Sequence, residues 1–387
     1  MTARGWSWPR GGLVAVALAV LGASPAAAAE PRRTTVFLDF GGGLLSPGQG
    51  GGEASCVTGQ FRYPMFLGSQ RAAQLALDEA RRLLAPYGVR VVGQRPPSPL
   101  PFTHVRVGGE PQTLGLDPRL NGLSCEVDCD DQLRPDTVFM FADKWVDRVT
   151  LSELEEDQLA LQIGRIAIHE AAHAWGLEHT GGSESIMARF PTASVPSFVV
   201  GCQPLDLDEA AQCPQVHART CPEGAQDADA ELRALFGDGE PDTTPPQVEI
   251  VWPPDGLELR AGDELTVQVT VQDDYPGFGW VLEVPQLDWR HESIEPGEHE
   301  LSLVVPQGRW TLELAAIDHD RNVGEAAVTF VATVEDAEVE EPVGGSQASC
   351  ACGQGPGATG GGLAWLLLLG LGLTGRRRSI PAVPRST

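Results

Sequence analysis

The stretch HEAAHAWGLEH, residues 169–179, decides how this sequence is interpreted. It holds three of the chain's eight histidines, His169, His173 and His179, at offsets of 0, 4 and 10. Residues four apart lie on the same face of a helix, so the first two imidazoles can reach one metal ion together. Gly176 predicts a sharp end to that helix, which brings His179 round as a third ligand.

The chemistry of this set indicates a catalytic zinc site. Three neutral imidazoles suit Zn²⁺ and leave one coordination position for a water molecule. Zinc lowers the pKa of that water towards ~7, and the carboxylate of Glu170 stands beside it to accept the proton. A purely structural zinc site is less favoured, because such sites are usually closed by a fourth protein ligand. A buried helix without metal would leave three histidines and a glutamate in need of unrelated partners.

The pattern His169-Glu170-x-x-His173-x-x-Gly176-x-x-His179 resembles that of the metzincin metalloproteases. The segment SESIMARF adds a methionine eight residues after the last histidine, a short spacing similar to the matrixin branch. GLEHT is also similar to the matrixin and pappalysin versions of the third-ligand segment. The resemblance covers roughly residues 34–236.

This resemblance implies roles for individual residues. The three histidines would bind one zinc ion, Glu170 would be the general base, and Met187 would form an apolar floor without binding the metal. An extended peptide substrate would add to an edge strand within residues 121–129. Thr180 and Arg189 depart from the family pattern, since some metzincins carry a tyrosine at the position of Arg189. No matrixin-type cysteine switch is found in the sequence.

Apolar periodicity predicts an α+β fold for the first part of the chain. The resemblance implies a metzincin-like domain over residues 30–240, with a mixed, mostly parallel sheet and a long active-site helix. A capping box at Ser152 and Glu155 predicts that this helix begins there and runs to about Trp175. Further strands are predicted at residues 34–40, 87–93, 102–109 and 135–143, and further helices at residues 69–85 and 227–236.

A second domain is predicted over residues 241–336, after the Pro-rich segment EPDTTPPQ. Five stretches of alternating apolar residues separated by turn signals predict an all-β sandwich of about ninety residues. Residues 315–331 resemble the closing hairpin of bacterial Ig-like repeats. Asp318, Asp320 and Asn322 could bind Ca²⁺ there, although an ordinary turn is the favoured interpretation.

Both ends of the chain resemble processing signals. Residues 1–29 combine early arginines, an apolar run and a small-residue end, the order of a secretory signal peptide. Residues 337–387 are interpreted as an acidic linker and a C-terminal anchor. Within them, Cys350–Arg378 resembles MYXO-CTERM sorting tails, which would anchor the protein at the cell surface; a plain membrane anchor is the alternative.

Six further cysteines precede residue 222, and an exported protein with an even number predicts three disulfides, with fifteen possible pairings. A masking role for a Cys56 thiolate on the zinc is the less favoured alternative. His104 and His217 are interpreted as surface histidines or as core histidines with satisfied hydrogen bonds.

The sequence as a whole predicts an exported, surface-anchored zinc endopeptidase acting on proteins or peptides. The formal net charge of -26 argues against a nucleic-acid partner, because phosphate binding needs a basic face. The membrane would be contacted only through the C-terminal tail, and the oligomeric state is left open. The alternative is a surface binding or adhesion protein whose metzincin-like domain is a silent scaffold; an intact Glu170 counts against it.

Overall fold

A computed structural model of the chain describes residues 30–47, 56–57, 59–125, 127–132, 136–146, 152–189, 195–206 and 211–334. These residues belong to one compact unit, which is rich in β-sheet and has few helices. The predicted signal peptide and the predicted linker and sorting tail lie outside the described residues. No helix in the described ranges is long and apolar enough to cross a membrane.

The part of the unit before residue 240 combines strands and helices. Its strands are β1 Thr34–Asp39, β2 Gly43–Leu45, β3 Phe61–Tyr63, β4 Val89–Val92, β5 Thr103–Val107, β6 Gly122–Ser124, β7 Thr137–Met140, β8 Gln203–Pro204 and β9 Ala225–Gln226. Its helices are α1 Gln70–Leu84, α2 Asp143–Val146, α3 Glu153–Ala174, α4 Pro214–His217 and α5 Ala228–Phe236.

A five-stranded sheet in the order β4-β1-β5-β7-β6 carries this part of the fold. The strands β4, β1, β5 and β7 pair in parallel, whereas β6 pairs antiparallel with β7 at the edge. The parallel strands are almost wholly buried, which is why they appear in the sequence as continuous apolar runs. The edge strand expected within residues 121–129 is therefore β6.

Helix α3 crosses close to α1 and to the sheet. Gly164 permits the close approach, since a Cβ atom there would lie 2.4 Å from the carbonyl oxygen of Ala76. The buried pair Arg165–Glu79, at 2.7 Å, joins the two helices beside it. The helix begins as predicted, with the Ser152 amide donating to Glu155 at 3.0 Å. It ends at Ala174 and is capped by Trp175, and Gly176 follows with a φ of 95°, the left-handed conformation that glycine tolerates.

The residues after 246 form the predicted all-β sandwich. Its strands are β10 Gln247–Trp252, β11 Leu257–Arg260, β12 Glu264–Gln272, β13 Gly279–Val284, β14 Trp289–Ser293, β15 Gly297–Val304, β16 Gly308–Ile317 and β17 Val323–Thr333. One sheet has the order β10-β12-β15 and the other β11-β17-β16-β13-β14. Alternating side chains from both sheets, among them Val267 on β12 and Trp280 on β13, are fully buried between them.

The predicted boundary after residue 240 falls in the segment between α5 and β10. Contacts across it join the sandwich to the parallel sheet. The Thr35 hydroxyl and His319 Nδ1 are 2.7 Å apart and both residues are buried. Ser98 donates to Glu292 at 2.6 Å, and Gly279 packs so closely on Pro99 that a Cβ atom there would lie 2.9 Å from its backbone.

The six cysteines before residue 222 form three disulfides, as predicted, and the structure selects their pairing. Cys56 pairs with Cys125, Cys129 with Cys213, and Cys202 with Cys221. The alternative of a Cys56 thiolate masking a metal is thereby wrong. Disulfides of this density fit an oxidising compartment.

Candidate metal centre

The three histidines of the opening stretch converge on one point. Nε2 of His169 lies 3.0 Å from Nε2 of His173 and 3.2 Å from Nε2 of His179. His169 and His173 come from the last turns of α3, and His179 comes from the chain after the turn at Gly176. Such a cluster of three nitrogens is the geometry in which each residue offers one ligand atom to a single ion.

The opposite ring nitrogens fix the orientation of the helical pair. Nδ1 of His169 lies 2.7 Å from the carbonyl oxygen of Ile186, and Nδ1 of His173 lies 2.7 Å from that of Leu177. Because a carbonyl oxygen only accepts, both Nδ1 atoms carry the proton and both Nε2 atoms present a lone pair. This arrangement is the usual outer support of a metal-binding histidine.

Burial also keeps these imidazoles neutral. Burial and the neighbouring imidazoles hold the pKa of His169 well below its ordinary value. The same causes lower the pKa of His173 to about 4. Neutral imidazole is the form that binds a metal, so the donor set fits Zn²⁺ at neutral pH.

A single turn supports both the helix and the third-ligand segment. Its Ile186 carbonyl accepts from His169, while its Met187 carbonyl accepts the Thr180 amide at 3.0 Å. The Met187 side chain is fully buried in the same apolar core as Ala171 and Ala172 of α3. Met187 is thus part of the core on which α3 packs, and its role as an apolar floor under the histidines stays a prediction.

Glu170 is buried next to β6. The Ser124 amide donates to its carboxylate, and Gly122 leaves the space that the side chain occupies. A Cβ atom on Gly122 would lie 2.4 Å from Glu170 Oε1. Burial raises the pKa of Glu170 to about 8, the Ser124 amide opposing that rise. A cation on the adjacent histidines would lower this pKa, because it favours the charged carboxylate.

A buried ionic network holds the segment that carries His179. Oε1 of Glu178 accepts the Gln212 and Cys213 amides and lies 3.1 Å from His217 Nε2. His217 Nδ1 lies 3.0 Å from Glu231 on α5. Although burial alone lowers the pKa of His217, hydrogen bonds to the two carboxylates raise it to about 9. The network thus places a charged imidazolium between two carboxylates.

His104 and Arg189 form contacts outside the histidine cluster. His104 is buried and lies 3.0 Å from Asp39, as expected of a satisfied core histidine. Arg189 forms an ion pair with Asp206 at 3.2 Å, and the Asp206 amide donates to the His179 carbonyl. A cavity of about 750 Å³ lies elsewhere, lined by residues of α1 and β4 together with Arg321.

Sequence reasoning missed Gly122, Ser124 and the Glu178–His217–Glu231 network. Glycine and serine in a three-residue strand give no pattern of their own. The network joins residues 39 and 14 positions apart, so it depends on the tertiary fold. A usable signal is that Glu178 stands directly before a candidate ligand, where a buried acid needs a partner.

Comparisons with known proteins add little to this geometry. No protein-family model matches the sequence, and no curated protein matches it. The chain is similar to fibronectin(III)-like modules of Clostridium thermocellum CbhA at 18% identity and a TM-score of 0.20, over 24% of this chain and 100% of that chain. The BIgI domain of the beta protein from S. agalactiae matches at 14% identity and a TM-score of 0.18, over 23% and 100% of the two chains. OgpA from Akkermansia muciniphila matches at 11% identity and a TM-score of 0.19, over 79% and 94%. Similarity at these TM-scores supports no conclusion about function.

Proposed function

We propose that the protein is an exported zinc-dependent endopeptidase of metzincin type, with its active site at the end of α3. One observation carries the proposal: Nε2 of His169 lies within 3.2 Å of Nε2 of both His173 and His179, while the next residue, Glu170, is buried. Zinc held by His169, His173 and His179 would polarise the scissile carbonyl and acidify a water molecule.

Glu170 supplies the proton transfers in this mechanism. Its carboxylate accepts a proton as water attacks the peptide carbonyl, and then delivers that proton to the departing amine. The Ser124 amide holds the carboxylate in place, and Gly122 leaves room for it. The carboxylate is therefore positioned by β6, the strand beside which the substrate would lie.

Strand β6 is suited to bind an extended peptide. It lies at the end of the sheet order, so one of its sides is not paired with another strand of that sheet. A substrate strand that pairs with this side would pass next to Glu170 and the histidines. Recognition by main-chain hydrogen bonds is typical of strand addition and favours proteins or peptides as substrates.

Export and surface anchoring complete the proposal. The three disulfides support an oxidising location. Anchoring by the C-terminal tail concerns residues outside those described, and it rests on the sequence pattern alone.

The decisive experiment compares the wild type with Glu170→Gln. The wild type should hold about one zinc per chain and cleave a mixed peptide pool in a chelator-sensitive way. Glu170→Gln should retain zinc and melting temperature but lose cleavage by ~10²–10⁴-fold, because it keeps the side-chain size and removes the base. Glu184→Gln, an exposed neighbour, is the matched control and should cleave normally.

Two results would contradict the proposal. Zinc at full occupancy in a His169→Ala/His173→Ala variant would place the metal elsewhere. A wild type that holds zinc but cleaves no peptide would favour the surface binding protein with a silent scaffold.

A further inference from the structure

A second group of potential ligands lies at the junction between the parallel sheet and the sandwich. Asp242, Asp273 and Asp318 come from three separate segments: the linker before β10, the end of β12 and the end of β16. One carboxylate oxygen from each lies within 4.8 Å of the others. Asp242 and Asp318 are buried, so this is not an exposed acidic surface.

Asp273 provides an independent sign that something is bound. The residue is partly buried, but both its carboxylate oxygens are fully buried and neither has a hydrogen-bond partner. Burying a carboxylate without a partner is costly, and ions in protein interiors are normally paired or coordinate a metal. Burial, with the adjacent Asp274 carboxylate, raises the pKa of Asp273 to about 8.

The basic and amide groups near the three carboxylates either bind other partners or hydrogen-bond to only one of the three. Arg33 pairs with Asp320 at 3.5 Å, and Arg90 donates to the His319 carbonyl at 2.9 Å. The Asn322 side chain donates to Asp318 at 2.7 Å and so orients it. Among the described residues, no basic side chain forms an ion pair with the three carboxylates.

We propose that Asp242, Asp273 and Asp318 bind one Ca²⁺ ion that fastens the linker to the sandwich. Calcium takes oxygen ligands at 2.3–2.6 Å, so two ligands of one ion can be up to about 5 Å apart. The observed separations meet this limit, and an all-oxygen donor set selects a hard cation over zinc. The ligand set differs from the turn cluster of Asp318, Asp320 and Asn322, because Asp320 is paired with Arg33 and accepts the Asp242 amide.

The consequence is a junction whose stability depends on calcium. Asp242 belongs to the segment between α5 and β10, whereas Asp273 and Asp318 belong to the sandwich. The Asp318–Asp320 loop also contacts β1 through His319 and Thr35. An ion at this point would therefore order the linker together with the loop that contacts the parallel sheet. The proposal does not depend on the histidine site or on peptidase activity.

Calcium titration of the metal-free mature chain tests the site. Calorimetry should give about one Ca²⁺ per chain, and 1–5 mM Ca²⁺ should raise the melting temperature by at least about 2 °C, since a ligand that binds only the folded state stabilises it. The same rise is expected in a His169→Ala/His173→Ala variant, which separates this site from the histidines. An unchanged wild-type melting temperature, with no measurable binding, would overturn the proposal.

Asp273→Asn provides a sharper test because the expected effects have opposite signs. Without Ca²⁺ the variant should melt higher than the wild type near neutral pH, since a neutral amide can be buried without the proton uptake that the Asp273 carboxyl requires. With Ca²⁺ the order should reverse, because the variant has lost a ligand. Asp263→Asn, an exposed aspartate just before the other end of β12, is the matched control and should respond to Ca²⁺ as the wild type does. An Asp273→Asn variant that binds Ca²⁺ like the wild type would sink the idea.

Discussion

At the scale of single residues, the centre depends on small side chains and backbone groups around a few reactive ones. The Ile186 and Leu177 carbonyls set the ring orientation of the helical histidines. Gly122 and the Ser124 amide set the position of Glu170. These supporting groups carry no reactive chemistry, yet an error of about 1 Å at a reacting group is enough to reduce a rate strongly.

Gly122→Ala should therefore damage catalysis without removing the metal. The new methyl group would stand 2.4 Å from Glu170 Oε1, so either the carboxylate or β6 must move. We expect kcat/KM for peptide cleavage to fall by about 10–100-fold with zinc content unchanged. Gly181→Ala is the control, because its Cβ would meet Pro204 at an ordinary 3.8 Å. Equal activity of the two variants would show that β6 does not constrain Glu170.

The sequence predicts the reactive residues of this site better than it predicts the residues that position them. Helical periodicity places His169 and His173 together, and Gly176 turns the chain towards them, so local rules suffice for the convergence. The sheet that brings Gly122 against Glu170 is a long-range arrangement, 48 positions apart in the chain, and no local pattern encodes it. The assignment of zinc and of a general base stays a prediction until it is measured.

At the scale of elements, α3 is the part of the fold that the sequence describes most fully. Its capping box and its terminal glycine both act within one turn, so its bounds follow from local chemistry. Strands β11, β13 and β14 were not predicted, because they are defined by pairing with other strands and not by local chemistry. β11 and β14 are short, with exposed or half-buried residues, and they become strands by pairing with β17 and β13. β13 lies between the turn signals at Pro276 and Pro285.

The His217 network joins the helices α4 and α5 to the segment that carries His179, and its charge should make stability depend on pH. The pKa of His217 is raised in the folded state to about 9, from an unfolded value near 6.5. Its stabilising contribution is therefore complete below pH ~6.5 and is lost as the pH rises towards 9. His217→Gln should cost roughly 1–3 kcal/mol at pH 6.5 and much less at pH 9.5.

Denaturation of both proteins across this range measures the difference. The comparison belongs in a His169→Ala/His173→Ala background, so that the pH dependence of metal binding does not contribute. His104→Gln is a useful second variant, because burial lowers the pKa of His104 and the same pH trend is not expected. A constant difference between wild type and His217→Gln from pH 6.5 to 9.5 would mean that His217 is neutral in the folded protein.

At the scale of the whole molecule, hydrogen bonds and close packing join the sandwich to the part of the fold that contains the parallel sheet. β1, which lies between β4 and β5 in the parallel sheet, presents Thr35 to His319 on the loop between β16 and β17. Ser98 and Pro99 contact β13 and β14 at a second point. Two separate contacts resist rotation about the linker, so a sandwich attached in this way is suited to hold the sheet and the candidate metal centre in a fixed orientation.

Thr35→Val tests whether the two parts unfold together. The change preserves the shape of the side chain and removes the hydroxyl that lies 2.7 Å from His319, a loss worth about 1–2 kcal/mol at a buried site. Calorimetry of the wild type should show one cooperative transition, and Thr35→Val should shift that whole transition down by about 1–4 °C. Thr266→Val, an exposed threonine on β12, is the control and should leave the melting temperature unchanged within about 1 °C. If the wild type instead melts in two steps and Thr35→Val moves only one of them, the sandwich is an independent module and its contacts with β1 do not stabilise the metal centre.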